Sequence, residues 1–133
     1  MLLDDITTRI ELLSAIAGYT VDKGRLSEDT DKRIVVFESD GKPSRLGFSD
    51  AGLRYEFPML QILVRGEVTD YEGPRDVIEA IYQDLPKVQA TALSGTTYFT
   101  IKPQGPPVFY RRDENERNSF SVRFLIWKSP ESL

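Results

Sequence analysis

The sequence predicts a single α+β domain in which two helices pack on one face of a mostly antiparallel sheet of four to five strands. Apolar residues recur at helical spacing over 2–17 and again over 74–85. Between and after these stretches lie short runs rich in β-branched and aromatic residues, which are typical of strands. The resulting order is α-β-β-α-β-β, and 133 residues suit one domain spanning 1–133.

The first helix is predicted over 2–17. Leu3, Ile6 and Ile10 lie on one stripe of it, and Gly18 is a suitable residue just beyond its C-terminus. A helix this amphipathic needs a sheet or a second helix to cover its apolar stripe.

The centre of the predicted fold is a strand followed by a helix. The run 59–64 is nearly all apolar, which indicates a strand buried on both faces. Pro58 cannot donate to a sheet, so we expect it at the first turn of this strand or against an edge. Gly73 and Pro74 suit the N-cap and N1 positions of the next helix, and Pro86 ends it.

The segments on either side of this centre are less regular. Residues 20–32 are polar and are predicted to be loop, followed by a short strand at 33–38. Residues 39–53 contain three glycines and a proline, which predicts a long loop. It is either a segment that orders on contact with another molecule or a disordered connection. A further strand is predicted at 96–102.

The C-terminal part predicts a hairpin. Its arms are 108–110 and 119–128, its charged tip is 111–118, and the tail 129–133 is expected to fray. Alternation in the last arm separates an inward face (Phe120, Val122, Phe124, Ile126) from an outward face (Ser121, Arg123, Leu125, Trp127). The outward face combines polar side chains with two large apolar ones, which is a pattern typical of a surface that binds another protein.

Composition excludes several classes of function. The chain has neither cysteine nor histidine, which rules out thiol nucleophiles, serine–histidine triads and Cys/His zinc sites. Its 21 acidic and 17 basic residues give a net charge of −4, which disfavours binding to a phosphate backbone as the main task. No apolar run approaches the roughly 18–20 residues of a membrane span. The acidic start at Asp4 and Asp5 is unlike a signal peptide, so we expect no membrane partner.

No residue pattern predicts an active site, a metal or a cofactor. The carboxylates of 113–116 lie among arginines in the hairpin tip, and a charge-balanced turn explains them. Tyr98, Phe99, Phe120 and Phe124 could form a base-stacking sheet surface, but the charge has the wrong sign and core packing is the preferred interpretation.

Two segments together resemble the minor capsid, or tail-terminator (tail-completion), proteins of tailed bacteriophages. They are Pro58–Gly66, with its Gln-x-x-x-Arg-Gly pattern, and 111–124, which contains Arg-Asp-Glu-Asn; a helix with Ile81 and Tyr82 lies between them. The resemblance covers about residues 55–128 and, more faintly, the opening helix. This chain has Glu116 where the family pattern has glycine.

The resemblance implies a structural role without catalysis. Proteins of this family form a ring, usually of six copies, that caps the finished tail tube and joins it to the head connector. It implies a location at the head–tail junction of a virion, after synthesis in the host cytoplasm. It also implies three partners, namely further copies of the chain, the tube protein and the connector or stopper protein. DNA could pass through the lumen without specific binding, and we expect that lumen to be acidic or neutral.

Six residues are candidates for the ring or partner interface, and they belong to the hairpin tip and the outward face: Arg111, Arg112, Asp113, Arg117, Leu125 and Trp127. The loop 39–53 is the alternative element that could reach a neighbouring copy. A head–tail stopper or other neck protein is the alternative within the same class. A small nucleic-acid-binding module and a small carboxylate enzyme are the alternatives from other classes.

Overall fold

The structure is a computed structural model that describes residues 2–26, 31–46 and 54–130, with the backbone alone at 40–46 and 54. It confirms the α+β class and the presence of two helices. These are α1 (Leu2–Glu11) and α2 (Glu72–Asp84), each followed closely by a 3-10 turn (Ser14–Ile16 and Leu85–Lys87). The strands are β1 (Thr20–Lys23), β2 (Arg33–Leu46), β3 (Arg54–Val68), β4 (Thr91–Leu93), β5 (Thr96–Pro103), β6 (Val108–Arg112) and β7 (Arg117–Lys128).

The sheet has more strands than predicted and is mixed. Its order is β1-β2-β3-β7-β5-β4, and β6 pairs with β7 beyond the stretch that pairs with β5. β1 runs parallel to β2, whereas every other neighbouring pair is antiparallel. The predicted four to five strands in the order α-β-β-α-β-β are therefore a partial description, because the short strands β1 and β4 fell in segments interpreted as loop or linker.

One hydrophobic core lies between the helices and one face of the sheet. α1 packs against β1 and β2, and α2 packs against β3 and β7. The predicted inward residues of β7 are all buried in this core; the first three lie opposite alternate residues of β3, and Ile126 lies opposite Ile101 of β5. The buried core residues of the helices and of the central strands are Leu2, Ile6, Ile10, Val77, Ile78, Ile81, Ile34, Val36, Leu60, Ile62, Val64, Phe120, Val122, Phe124 and Ile126.

The first helix is shorter than predicted. It ends at Glu11, because Leu12 and Leu13 turn the chain into the 3-10 turn that buries Ile16. Gly18 has a φ of +88°, which glycine adopts readily, and the chain then enters β1. The prediction of loop throughout 20–32 is wrong at 20–23, since four residues are too few to show strand alternation in a sequence.

The predicted loop 39–53 is also wrong in its first half. The backbone of β2 runs on to Leu46 and pairs with β3, which begins at Arg54; residues 47–53 lie outside the described residues. The pairing register shifts between Ser39 and Lys42 and again between Lys42 and Arg45, which is where Gly41 and Pro43 fall. These irregularities let a strand accommodate residues that normally predict a loop.

Pro58 lies inside the central strand β3, not at its first turn or an edge as expected. The neighbouring positions Glu56 and Met59 pair with β7, and on the other side the register shift with β2 falls opposite the proline. Pro58, which has no N–H, therefore occupies a position that is paired with neither β2 nor β7.

The start of α2 differs in detail from the prediction. Tyr71 is the N-cap residue, and Gly73 lies within the first turn, where its N–H donates to Asp70 Oδ1 at 3.0 Å. A Cβ at position 73 would lie 2.2 Å from Asp70 Oδ2, so this close approach explains the glycine. A Cβ at Gly66 would lie 2.7 Å from the ring of Pro74, so glycine there lets α2 pack on β3.

The segments around β4 and the C-terminus are also better ordered than predicted. β4 pairs with β5 through the turn at Ser94 and Gly95, so the predicted linker contains a strand. Ser129 exchanges two hydrogen bonds with the backbone of Thr97, both of 2.9 Å, which fixes the first residue of the segment predicted to fray. Residues 131–133 lie outside the described residues.

Candidate interaction surface

The hairpin of β6 and β7 closes in a four-residue turn, Asp113–Glu116, shorter than the predicted tip. Asp113 organises it, because its Oδ1 accepts hydrogen bonds from the N–H groups of Asn115 and Arg117, both at 2.9 Å. Glu116 has a φ of +62°, in the left-handed region that glycine prefers. Position 116 is therefore one where a glycine would fit the backbone without strain.

Arg117 lies in the interior of the hairpin base. Its side chain is only 4% exposed, and its Nε donates to Asp113 Oδ2 at 2.8 Å while a terminal nitrogen lies 3.4 Å from Asp31. Burial opposes ionisation of Asp113, but the hydrogen bonds from Arg117 and Asn115 outweigh it and hold the pKa of that carboxyl below its ordinary value of 3.8. Asp113 and Arg117 therefore stabilise the turn.

Arg111 and Arg112 are both exposed, as the prediction of a charged tip requires. Arg112 donates to Asn118 and lies 3.3 Å from Glu116. Arg111 instead lines a cleft of about 350 Å³ on the sheet face opposite the helices. The other residues lining it are Leu26, Leu63, Arg65, Tyr110, Asp113, Glu114, Asn115, Arg117 and Ser119.

The family-like Gln-x-x-x-Arg-Gly segment is structural rather than surface-exposed. Gln61 is buried and donates to Ser121 Oγ at 3.0 Å, so Ser121 is buried as well, although its face was predicted to be wet. Arg65 is 3% exposed and reaches the backbone oxygen of Asp31 at 3.4 Å. Gly66 makes room for Pro74.

An aromatic cluster surrounds Trp127 on the sheet face away from the helices. The rings of Tyr55, Phe99 and Trp127 lie 4.7–5.6 Å apart between centroids, and Trp127 is 37% exposed. Leu125 is half-buried beside them on the same face. We call these four residues the Trp127 patch; it contains both of the apolar residues that alternation predicted.

Two exposed cations flank the Trp127 patch. Lys102 is directly opposite Leu125 in the pairing of β5 with β7, and Arg123 precedes Leu125 by two residues on the same face. Within the described part of the chain, neither cation has an ion-pair partner. The patch is thus apolar at its centre and basic at its rim.

The structure has a second apolar surface that was not predicted from the sequence. Tyr71 and Phe109 are about half exposed and stack at 6.1 Å, and both rings contact the buried Phe120 edge-on. Val68, 51% exposed, precedes the turn that carries Tyr71. We call Val68, Tyr71 and Phe109 the Tyr71 patch. It joins residues from β3, the start of α2 and β6, so no local pattern identifies it.

The rim of the Tyr71 patch is acidic. Glu67 adjoins Val68, Glu72 adjoins Tyr71, and Asp76 lies one helical turn beyond Glu72; all three are exposed. Burial, followed by the charges of Asp70, Glu67 and Asp76, raises the pKa of the nearby Tyr19 hydroxyl to about 12. Burial is the largest cause of that shift, and the three carboxylates add to it.

Most of the aromatic residues that could have formed a base-stacking surface belong to the core. Tyr98, Phe120 and Phe124 are buried beneath the helices, so they offer no base-stacking surface. Within residues 2–26, 31–46 and 54–130, no group of three or more acidic side chains could hold a metal ion. The helices of that same part of the chain are all too short or too polar to cross a membrane.

Comparison with solved structures identifies a shared fold. No family model matches the sequence, and no curated protein matches it. Among solved structures, the fold matches a chain of the virion of a native gene transfer agent particle, with a TM-score of 0.69. The match covers 97% of this chain and 95% of that chain at 10% sequence identity, so it shows a shared fold across the whole domain.

Proposed function

We propose that this chain is a structural protein of a tailed, phage-like virion and that it acts as a tail terminator. The observation that carries the proposal is the fold match to a virion component over nearly the full length of both chains. The sequence resemblance to tail-terminator proteins rests on separate evidence, namely the Gln61–Gly66 segment and the charged hairpin turn.

The surface supports assembly rather than catalysis. The Trp127 and Tyr71 patches expose large aromatic side chains, which in soluble proteins commonly mark protein–protein contacts. They lie on different parts of the sheet, and a ring needs two different surfaces on each subunit. The proposed assembly is a closed ring, of six copies by family analogy, whose lumen lets DNA pass without specific contacts.

The proposed partners are the tail tube protein on one side of the ring and the head-connector or stopper protein on the other. The proposed location is the head–tail junction of the virion, after synthesis in the host cytoplasm. The proposed function needs no cofactor.

Deletion of the gene from the particle-producing strain tests this proposal. A terminator stops tube growth, so we expect tails of irregular length and heads that remain unattached, seen by negative-stain electron microscopy. Purified protein added to the mutant lysate should restore joined particles. Joined, infectious or transfer-competent particles of normal tail length in the deletion strain would contradict the proposal.

The same experiment separates the terminator from the stopper alternative. Loss of a stopper would leave tails of normal length and heads that release their DNA. That outcome would still indicate a virion protein, but it would assign the chain to the head side of the junction.

A further inference from the structure

The two aromatic patches have opposite charge at their rims. The Trp127 patch is bordered by the cations Lys102 and Arg123. The Tyr71 patch is bordered by the acid Glu72, and a second exposed acid, Asp76, lies one helical turn further along α2. A third acid, Glu67, lies 3.3 Å from Lys32 and is partly neutralised. Arg112 and Arg75, on the side of the Tyr71 patch, are each bound to a glutamate of their own chain.

The patches cannot meet within one molecule. Leu125 and Trp127 lie on the sheet face away from the helices, near the end of β7. Phe109 pairs with Phe120 on the helix-covered face, near the start of β7. One surface of each kind on every copy is the arrangement that a head-to-tail contact requires.

We propose that the Trp127 patch of one copy docks on the Tyr71 patch of the next copy, with Lys102 and Arg123 facing Glu72 and Asp76. This inference rests on the proposed ring and names the two surfaces that build it. Aromatic side chains supply the dehydrated centre of the contact, and the complementary rims fix its direction and exclude face-to-face pairing of like patches.

Charge reversal tests this pairing directly. One variant, Lys102→Glu with Arg123→Glu, has two acidic rims; the other, Glu72→Lys with Asp76→Lys, has two basic rims. Each variant alone should associate at least about tenfold more weakly than the wild type, because like charges then face each other. Their equimolar mixture should recover oligomers in which the two variants alternate, since every contact again joins opposite charges.

The readout is native mass spectrometry with one variant isotopically labelled. Recovered oligomers of equal composition support the pairing. A variant that assembles alone as the wild type does, or a mixture that stays dissociated, overturns it. Each variant must first show a cooperative melt, since Glu72 and Asp76 also favour the N-terminal half of α2.

Cysteine cross-linking decides the matter if the wild type is monomeric in dilute solution, and the native chain has no cysteine to interfere. Lys102→Cys mixed with Glu72→Cys at high concentration should be joined by a short bis-maleimide reagent, which adds to one thiol on each molecule, into a dimer of the two variants. The matched control mixes Lys102→Cys with Leu12→Cys, a remote residue that is 79% exposed. Cross-linking no faster than in the control overturns the pairing. This result is independent of where the protein lies in a virion, so failure of the pairing and failure of the proposed function can be told apart.

Discussion

At the scale of single residues, Glu116 shows a residue with a Cβ in a backbone conformation that glycine prefers. Its φ of +62° is costly for a residue with a Cβ, by about 1–2 kcal/mol. The exposed contact with Arg112, at 3.3 Å, offsets little of that cost.

Glu116→Gly should therefore stabilise the protein modestly. Relief of the strained φ exceeds the extra chain entropy of glycine, so we expect the free energy of unfolding to rise by about 0.5 kcal/mol. Glu114→Gly, in the same turn but without a positive φ, should lower it by about 0.5–1 kcal/mol. Urea denaturation of the three proteins measures both effects, and equal loss in the two variants would contradict the assignment.

Asp113 and Arg117 form the polar centre of the hairpin base. Asp113→Asn should lower the free energy of unfolding by about 2–3 kcal/mol at neutral pH, because it leaves a nearly buried guanidinium without its main carboxylate.

The same pair makes stability depend on pH. The folded-state pKa of Asp113 is lowered, so its contribution is complete above the unfolded-state pKa and is lost as the pH falls through the folded-state pKa. The stability difference between wild type and Asp113→Asn should therefore be constant above about pH 5 and shrink below 3.8, the ordinary value. A difference that stays constant to the lowest pH at which both proteins fold would count against this.

At the scale of elements, a buried hydrogen bond joins α1 to the sheet. The hydroxyl of Tyr98 on β5 donates to Asp5 Oδ2 at 2.6 Å, and both side chains are buried. An acid in the first turn of α1 thus has a tertiary partner as well as a favourable position on the helix dipole.

Tyr98→Phe should destabilise the protein by about 2 kcal/mol, since it removes this donor and leaves the carboxyl of Asp5 in the interior. Tyr110→Phe is the matched control, because Tyr110 is about half exposed, and it should change stability by less than about 0.5 kcal/mol. Thermal unfolding followed by circular dichroism compares the two, and similar shifts would refute a special role for the contact.

The elements also show which parts of the fold a sequence can reveal. α1, α2 and the β6–β7 hairpin were predictable because each carries its own periodicity over enough residues. β1 and β4 were not, because strands of four and three residues form only through pairing with β2 and β5. The full length of β2 was hidden by Gly41 and Pro43, which a paired strand accommodates at register shifts.

At the scale of the whole molecule, only one of the two aromatic patches could be predicted from the sequence. Alternation along β7 was enough to predict Leu125 and Trp127 on the outward face. The Tyr71 patch depends on three elements that meet in the fold, and one of the partners of Arg117 is Asp31, 86 residues away. Such groupings come from tertiary contacts and leave no local pattern.

Trp127→Glu should separate assembly from folding. Loss of its ring contacts should reduce the free energy of unfolding by about 1–2 kcal/mol, which leaves a folded domain, whereas a charge in an apolar contact should abolish self-association. Leu12→Glu, at a residue 79% exposed, should leave association intact. Multi-angle light scattering measures the mass of each variant, and unchanged assembly of Trp127→Glu would remove this residue from the interface.

The central proposal is that this chain is a building block of a virion and lies at the junction of head and tail. Immunogold electron microscopy of intact particles, with an antibody raised against the purified chain, measures that position directly. We predict gold label confined to the neck, and none on particles from the deletion strain. Label on no part of the particle, with the protein recovered only in the particle-free lysate, would contradict the proposal.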